Sequence, residues 1–355
     1  MQEKVNIIIL NWNGWADTIA CLESILRSSY TNYSITMVDN HSTDGSVEYI
    51  INWAKGNLNI IKPKDNVIKP FVYPPILKPI HLNCIDYNES GQIPGYNFEE
   101  NTLTLLQSAQ NFGFGGGNNI GLKFGLLHGD FDHFWILNND TIVGHHALGS
   151  LVDTARYYTF NNKKVGMIGS KLKCFNQPDL IQGIGGCFNK ITATITHRGS
   201  LERDIGQYDG HHCDTLIDYP IGASLFISKT FLNDVGLICE DHFLYFEEIE
   251  WTVRAKKQGW KMGYNWEGVI YHKKGISTRS SSNLNHQSRL ADYCYLRSRI
   301  LVARKLGGIL WASVFLATLV SLFRRLIYGR TDLVKNGLQA MMDAYGSSGR
   351  RNLPN

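Results

Sequence analysis

The sequence has 355 residues, 43% of them hydrophobic and 12% aromatic, enough to bury one large core or two smaller ones. Its net charge of +4 is unevenly spread: residues 297–355 hold ten Lys and Arg against Asp332 and Asp343, which leaves residues 1–296 with 25 basic and 29 acidic side chains. A slightly acidic body excludes a nucleic-acid binder, whose basic footprint would cover the fold itself.

Cys21, Cys84, Cys174, Cys187, Cys213, Cys239 and Cys294 form no CxxC pair for zinc or thiol exchange, and they read as reduced thiols of a cytosolic protein. The apolar run Val5 to Leu10 has no basic region or cleavage site ahead of it, so no signal peptide is expected. That run, with Asn11, reads as a strand buried on both faces, and Trp15–Ser29 follows with helical spacing at Ile19, Leu22, Ile25 and Leu26. The pattern repeats with Ser34–Val38 as a strand, Ser46–Lys55 as a helix and Leu58–Ile61 as a short strand. An α/β fold follows, a mostly parallel central sheet with helices on both faces and a ligand crevice at the carboxyl ends of its strands.

Six of the nine prolines fall between residues 63 and 94, so residues 63–106 are expected to be an irregular surface insertion. Regular structure should resume at Thr102–Ser108. A glycine-rich turn, a helix from about Gly117 to His128 and the strand Phe134–Leu137 follow. Short strands with turns at Gly183, Gly185 and Gly186 then lead to Tyr219–Ser228. The helix Glu247–Gln258 closes a body spanning residues 1–284, and residues 285–355 form a basic helical tail.

Three strand ends carry polar residues that suit one ligand: Asn11 and Asn13, then Asp39 with Asn40 and Asp44, then Asn138, Asn139 and Asp140. A carboxylate at Asp39 can accept from a pyrimidine N3–H or from ribose hydroxyls, and one at Asp140 can hold a divalent cation against a diphosphate. Taken singly, such residues are more often turn formers. Between them lies Asn111–Gly121, NFGFGGGNNIG, whose glycines let backbone approach a ligand. It gives GxGxxN instead of GxGxxG and follows several strands, which argues against a nicotinamide or flavin site. Glu247, Glu248 and Glu250 open a helix, where acids also suit the macrodipole and Glu250 can pair with Arg254. The surrounding Phe243, Tyr245, Phe246 and Trp251 would raise a carboxylate toward a useful base. His272 alone is more often not a ligand.

The succession NWNG, VDNHSTDGS, NFGFGGGNN, LNNDT, GASLFISK, FLYFEEIEWTVRAKKQG and YHKKGIST resembles family 2 glycosyltransferases of the GT-A fold, particularly bacterial rhamnosyltransferases, over roughly residues 4–305. The resemblance implies Asp39 at the nucleobase, and the loop with Asn111, Gly113, Phe114, Gly115 and Asn118, together with Asn138 and Asn139, at the nucleotide sugar. It also implies Mg2+ or Mn2+ on Asp140 and His272, and Glu248 as catalytic base. Glu247 and Trp251 are expected to position the acceptor. Two departures stand out: Asn138 and Asn139 replace acids of the usual metal motif, and the usual Glu-Asp pair is Glu247-Glu248.

The function so implied is inverting transfer of a sugar, rhamnose from dTDP-rhamnose, to a hydroxyl of a lipid-linked saccharide in bacterial polysaccharide synthesis. The alternatives are a UDP-hexose donor and a silent nucleotide-sugar binder. Residues 306–323 carry no charge and are bracketed by Arg304, Lys305, Arg324 and Arg325. As a helix they would span about 27 Å, marginal for crossing a bilayer. A peripheral position at the inner face of the cytoplasmic membrane is expected, with a homodimer through the C-terminal helices as the alternative use of this stretch.

Overall fold

The computed structural model of the chain describes residues 2–58, 65–87, 96, 103–273 and 289–346. The run VNIIILN forms β1 (Val5–Asn11). Its alternate residues serve two cores, Ile7 and Ile9 on one face and Ile8 on the other, as the two-residue period of a strand requires. There follow α1 (Trp15–Ile25), β2 (Tyr33–Asp39), α2 (Ser46–Lys55), α3 (Lys69–Val72), β3 (Leu82–Asp86) and β4 (Leu103–Gln107). Next come α4 (Gly113–His128), β5 (His133–Asn138), β6 (Thr141–Val143), α5 (Ala147–Phe160), β7 (Val165–Cys174), β8 (Gln177–Gly183), β9 (Gly186–Phe188) and β10 (Ile195–His197). The body ends with β11 (Ser224–Ser228), α6 (Lys229–Val235), α7 (Glu247–Lys257) and β12 (Lys261–His272), and the tail is α8 (Arg289–Leu306), α9 (Gly308–Ile327) and α10 (Thr331–Tyr345).

The main sheet runs β3-β4-β2-β1-β5-β11-β7-β12-β6, with β8 paired to β7. The first five strands are mutually parallel, and β11 runs against both β5 and β7. Helices α1, α2 and α5 cover one face through Leu22, Trp53 and Leu151. Helices α4, α6 and α7 cover the other through Leu122, Phe231 and Trp251. The chain leaves β1 for β2 on one side and later returns to β5 on the other, so the strand order reverses at β1 and the crevice opens there. Asn11 lies in register with Asp39, and Leu10 with Asn138, which brings the three polar strand ends to one edge.

Two expectations are corrected. The described part of residues 63–106 holds regular structure, because β3 pairs residue for residue with β4, Leu82 to Leu103 through Asp86 to Gln107. This edge strand is half-exposed and mixed in polarity, so it lacks the apolar signature, and five of the six prolines, Pro63, Pro70, Pro74, Pro75 and Pro79, precede it in sequence. The segment is docked by Glu23, whose buried carboxylate accepts from Lys78 Nζ at 2.8 Å, Ile76 N at 2.9 Å and Trp53 Nε1 at 2.9 Å. The second correction is that the glycine-rich stretch is helix from Gly113 onward. A Cβ at Gly117 would lie 2.4 Å from Leu10 Cδ1, and one at Gly121 2.7 Å from Ile8 Cγ2, so these glycines let α4 lie directly on β1. Smaller differences are that α1 ends at Ile25 and that only Ser224–Ser228 of Tyr219–Ser228 is strand. The strand expected at Leu58–Ile61 lies, after Leu58, outside the described residues, as does the helix start near Asn285.

The tail packs on the body. On α8, Tyr293, Cys294 and Leu296 share a core with Phe243, Leu244 and Tyr245, and Val302 packs with Tyr219, Phe246 and Ile249. Arg325 of α9 reaches back to α8 in a buried bidentate pair with Asp292, at 2.8 and 2.9 Å.

Candidate active site

The side of the crevice expected to take the nucleotide is a closed set of hydrogen bonds. Asn11 Nδ2 donates to Asp39 Oδ1 at 2.7 Å, and Asn11 Oδ1 accepts from Thr18 Oγ1 at 2.7 Å. Ser42 donates to the same carboxylate twice, from Oγ to Oδ1 at 2.6 Å and from N to Oδ2 at 2.9 Å. Asn13 holds the loop from the other end, with Oδ1 accepting from Thr43 N at 2.8 Å. Asn139 Nδ2 donates to Thr18 Oγ1 at 3.0 Å. Asn11 and Asn139 therefore act as struts, while Asp39 keeps acceptor capacity on Oδ2 and Asn138 stands half-buried at the rim.

The β2 end is tied to the start of α4 through Asn40, which donates to Asn111 Oδ1 at 2.8 Å and accepts from Phe112 N at 3.0 Å. Gly113 N donates to Asn111 Oδ1 and Phe114 N to Phe243 O, each at 2.8 Å. Those two amides are committed within the protein and cannot cradle a phosphate. Gly113, Gly115 and Asn118 are buried, and Asn118 Nδ2 bonds the Phe114 carbonyl at 2.9 Å. The expected ligand role of these three is corrected to one of shaping the helix start, whereas Asn111 and Phe114 remain at the rim.

Asp140 and His272 come together because β6 pairs with β12, His272 opposite Thr141. His272 Nε2 is 3.1 Å from Asp140 Oδ1, and Gln182 Oε1 accepts from His272 Nδ1 at 2.7 Å. Burial raises the Asp140 carboxyl, but the His272 ring beside it more than offsets this and holds it below the usual carboxylate range. The pair fits a divalent cation: an ionised oxygen and an imidazole nitrogen converge, and Gln182, accepting from Nδ1, orients the ring so that Nε2 on losing its proton could coordinate a cation beside Asp140. Among the described residues no third His, Cys, Asp or Glu joins them, so a diphosphate and water would complete the shell.

The base side is different in kind. Tyr245 and Phe246 both lie in the left-handed region, at φ +71 and +70, a conformation costing bulky residues about 1–3 kcal/mol each. They turn the chain into α7, which has no side-chain cap. Glu247 is buried, its Oε1 accepts no hydrogen bond among the described residues, and burial and then the Glu248 charge push its carboxyl well up. Glu248 is half-buried beside Gly222, where an added Cβ would meet its carboxyl carbon at 3.8 Å and the Phe114 ring at 3.9 Å. Burial pushes Glu248 up to about 7. Glu250 is locked by Arg254, whose Nε reaches its oxygens at 2.9 and 3.1 Å while its other nitrogens bond the Val235 and Leu237 carbonyls. Trp251 is fully buried and donates from Nε1 to Gly236 O at 2.9 Å, so its expected contact with an acceptor is corrected: it is core. Sequence reasoning missed Ser42 and Gln182 as site residues. A serine three residues after Asp39 carried a turn signal, whereas nothing marked a glutamine on β8.

The description "Glycosyltransferase like family 2" matches residues 95–294, more than half of the chain, and "Glycosyl transferase family 2" matches residues 6–68. The chain belongs to glycosyltransferase family 2. This member is 26% identical over 165 residues to the low-salt glycan biosynthesis hexosyltransferase Agl10 of Haloferax volcanii, a match covering 45% of this chain and 48% of that protein. It thus spans about half the length of that relative. Its fold is GT-A: it superposes on the mannosyltransferase PcManGT from Pyrobaculum calidifontis in complex with GDP-Man and Mn2+ with a TM-score of 0.50, 13% identity, and 98% of this chain against 77% of that one. It also superposes on GalNAc-T7 with UDP, GalNAc and Mn2+, with a TM-score of 0.53, 11% identity, and 85% of this chain against 48% of that one.

Proposed function

We propose that this family 2 member transfers a sugar from a nucleoside diphosphate donor to an acceptor hydroxyl with inversion, and that Glu248 is its base. The observation that carries the reading is the contrast among three neighbouring acids. Glu247 is sealed in, Glu250 is neutralised by Arg254, and Glu248 alone of the three is half-buried, unpaired by Arg254 and with a carboxyl near 7, where a general base works best at neutral pH. Glu248 removes the acceptor proton as that oxygen bonds to the anomeric carbon, and the bond from that carbon to the diphosphate oxygen breaks on the opposite face. Asp39 orients the nucleoside, with Asn11 and Ser42 fixing its carboxylate. A divalent cation on Asp140 and His272 would supply electrostatic stabilisation of the departing diphosphate.

Rhamnose from dTDP-rhamnose is the donor proposed from the motif resemblance, with a UDP-hexose as the alternative. Screening both nucleotide sugars for Mn2+-dependent thermal stabilisation, followed by a transfer assay, decides between them. A chain that is stabilised by a nucleotide sugar but neither transfers nor hydrolyses it would be a silent nucleotide-sugar binder, contradicting the proposal.

We further propose that the chain works at a lipid surface on a lipid-linked saccharide. Helix α9 is long and apolar enough to cross a membrane, but Leu310, Val314, Thr318 and Leu322 pack inward while Ile309, Leu316, Val320, Phe323 and Ile327 form the opposite, exposed face. An outward apolar face beside exposed Arg324, on a tail with an excess of eight positive charges, suits lying in the interface of an anionic bilayer.

A further inference from the structure

Among the described residues, the turn into α7 has no side-chain cap to hold it. Two consecutive bulky residues, Tyr245 and Phe246, sit at positive φ. Such backbone persists only where its surroundings over-determine it. One restraint comes from α4, where Phe114 N donates to Phe243 O at 2.8 Å. The others come from the tail. Arg297 Nη1 donates to Asp241 O at 2.6 Å, and buried Ser298 Oγ donates to Leu244 O at 3.0 Å. One more turn or two along α8, Lys305 Nζ reaches Asp241 Oδ2 at 3.2 Å and Glu250 Oε1 at 3.4 Å. Tyr293 and Cys294 close the same contact with apolar packing on Phe243 to Tyr245. Helix α8 therefore grips the carbonyls that precede the strained pair.

We propose that α8 is a built-in part of the catalytic centre, in which Arg297 and Ser298 are positioning residues that hold the Asp241–Phe246 turn and, through it, the Glu248 carboxyl. This rests on Glu248 being the base. The tail is thus a required wall of the site as well as a surface for lipid. Release of either carbonyl lets the turn relax, moves the carboxyl relative to the acceptor oxygen and admits water beside it.

The test uses the full chain with Arg297→Ala, Arg297→Lys, Ser298→Ala and Glu248→Gln. Each is assayed for transfer from dTDP-rhamnose or UDP-glucose, whichever the intact chain uses, to an alkyl glycoside, and for binding of the matching nucleoside diphosphate. Arg297→Ala and Ser298→Ala are expected to lower kcat by about 10- to 100-fold, the scale of an ångström misplacement, with nucleotide affinity unchanged. The low-pH limb of kcat/KM should move below 7 as the carboxyl gains water, and Arg297→Lys should recover part of the rate. Wild-type kcat and pH profile in both Ala variants would overturn the proposal while leaving the base in place. So would parallel loss of kcat, nucleotide affinity and Tm, the mark of a purely structural role. Near-normal kcat in Glu248→Gln would remove the base reading, and this proposal with it.

Discussion

The two halves of the crevice are built on opposite principles. On the nucleotide side, Asp39, Asn11, Thr18, Ser42 and Asn139 satisfy one another at 2.6–3.0 Å, so the pocket is preformed and its cost in ordering is met on folding. On the base side, two residues are strained, Glu247 Oε1 lacks a partner among the described residues, and two neighbouring carboxyls are raised. On the proposed roles, recognition of a fixed ligand is left to rigidity, and proton transfer to a destabilised group held from outside.

The comparison breaks first at the metal pair between the halves. Asp140→Ala should lose metal-dependent transfer altogether while the fold persists, because this acid lies at a strand end on the crevice; full activity of the variant, or of the intact chain in EDTA, would refute the assignment. Gln182→Ala leaves both ligands in place but frees the His272 ring, and it should weaken Mn2+ binding by about 10- to 100-fold. Titration of Mn2+ with nucleoside diphosphate present reads this directly, and unchanged affinity would remove Gln182 from the site.

The base side is sharpened by stability measurements. Glu250→Gln breaks the ion pair with Arg254 Nε and should cost about 1–3 kcal/mol of unfolding free energy with little change in kcat. A large kcat loss at unchanged stability would make Glu250 a participant. Glu247 and Glu248 have folded-state values above 4.5, so the folded state favours their protonated forms. The stability they contribute is present below about pH 4.5 and falls as pH rises, for Glu248 being lost through about 7. In Glu247→Gln the fall in Tm from pH 5 to pH 8 should shrink; an unchanged fall would mean that this carboxyl is not sequestered. The smallest effect on chemistry is expected at α9, where Leu316→Glu with Phe323→Glu should abolish flotation with anionic liposomes and leave transfer to a soluble acceptor intact. Equal flotation would remove α9 from the lipid contact.

Where burial on both faces writes an unbroken apolar run, as in β1, or where helical spacing is clean, as in α2, the elements could be read from the residues. Edge strand β3 could not, because its half-exposed face carries no such signal. The glycines of α4 were read as a ligand loop since close approach to a ligand and close approach to β1 demand the same residue. Trp251 misled in the same way: apolar bulk beside acids can line an acceptor site or fill a core, and only its bond to Gly236 O separates the two. The grip of α8 on the base turn joins residues 56 and 54 positions apart, and no local pattern reports it.

The most direct test of the account is kcat/KM against pH for the intact chain and for Glu248→Gln. The intact chain should gain activity with rising pH through an inflection near 7, since only the ionised carboxyl accepts the acceptor's proton. Glu248→Gln should be lower by about 100-fold or more and lack that inflection. An inflection near 7 that survives in Glu248→Gln, with near-normal rates, would contradict the account and pass the role of base to Glu247.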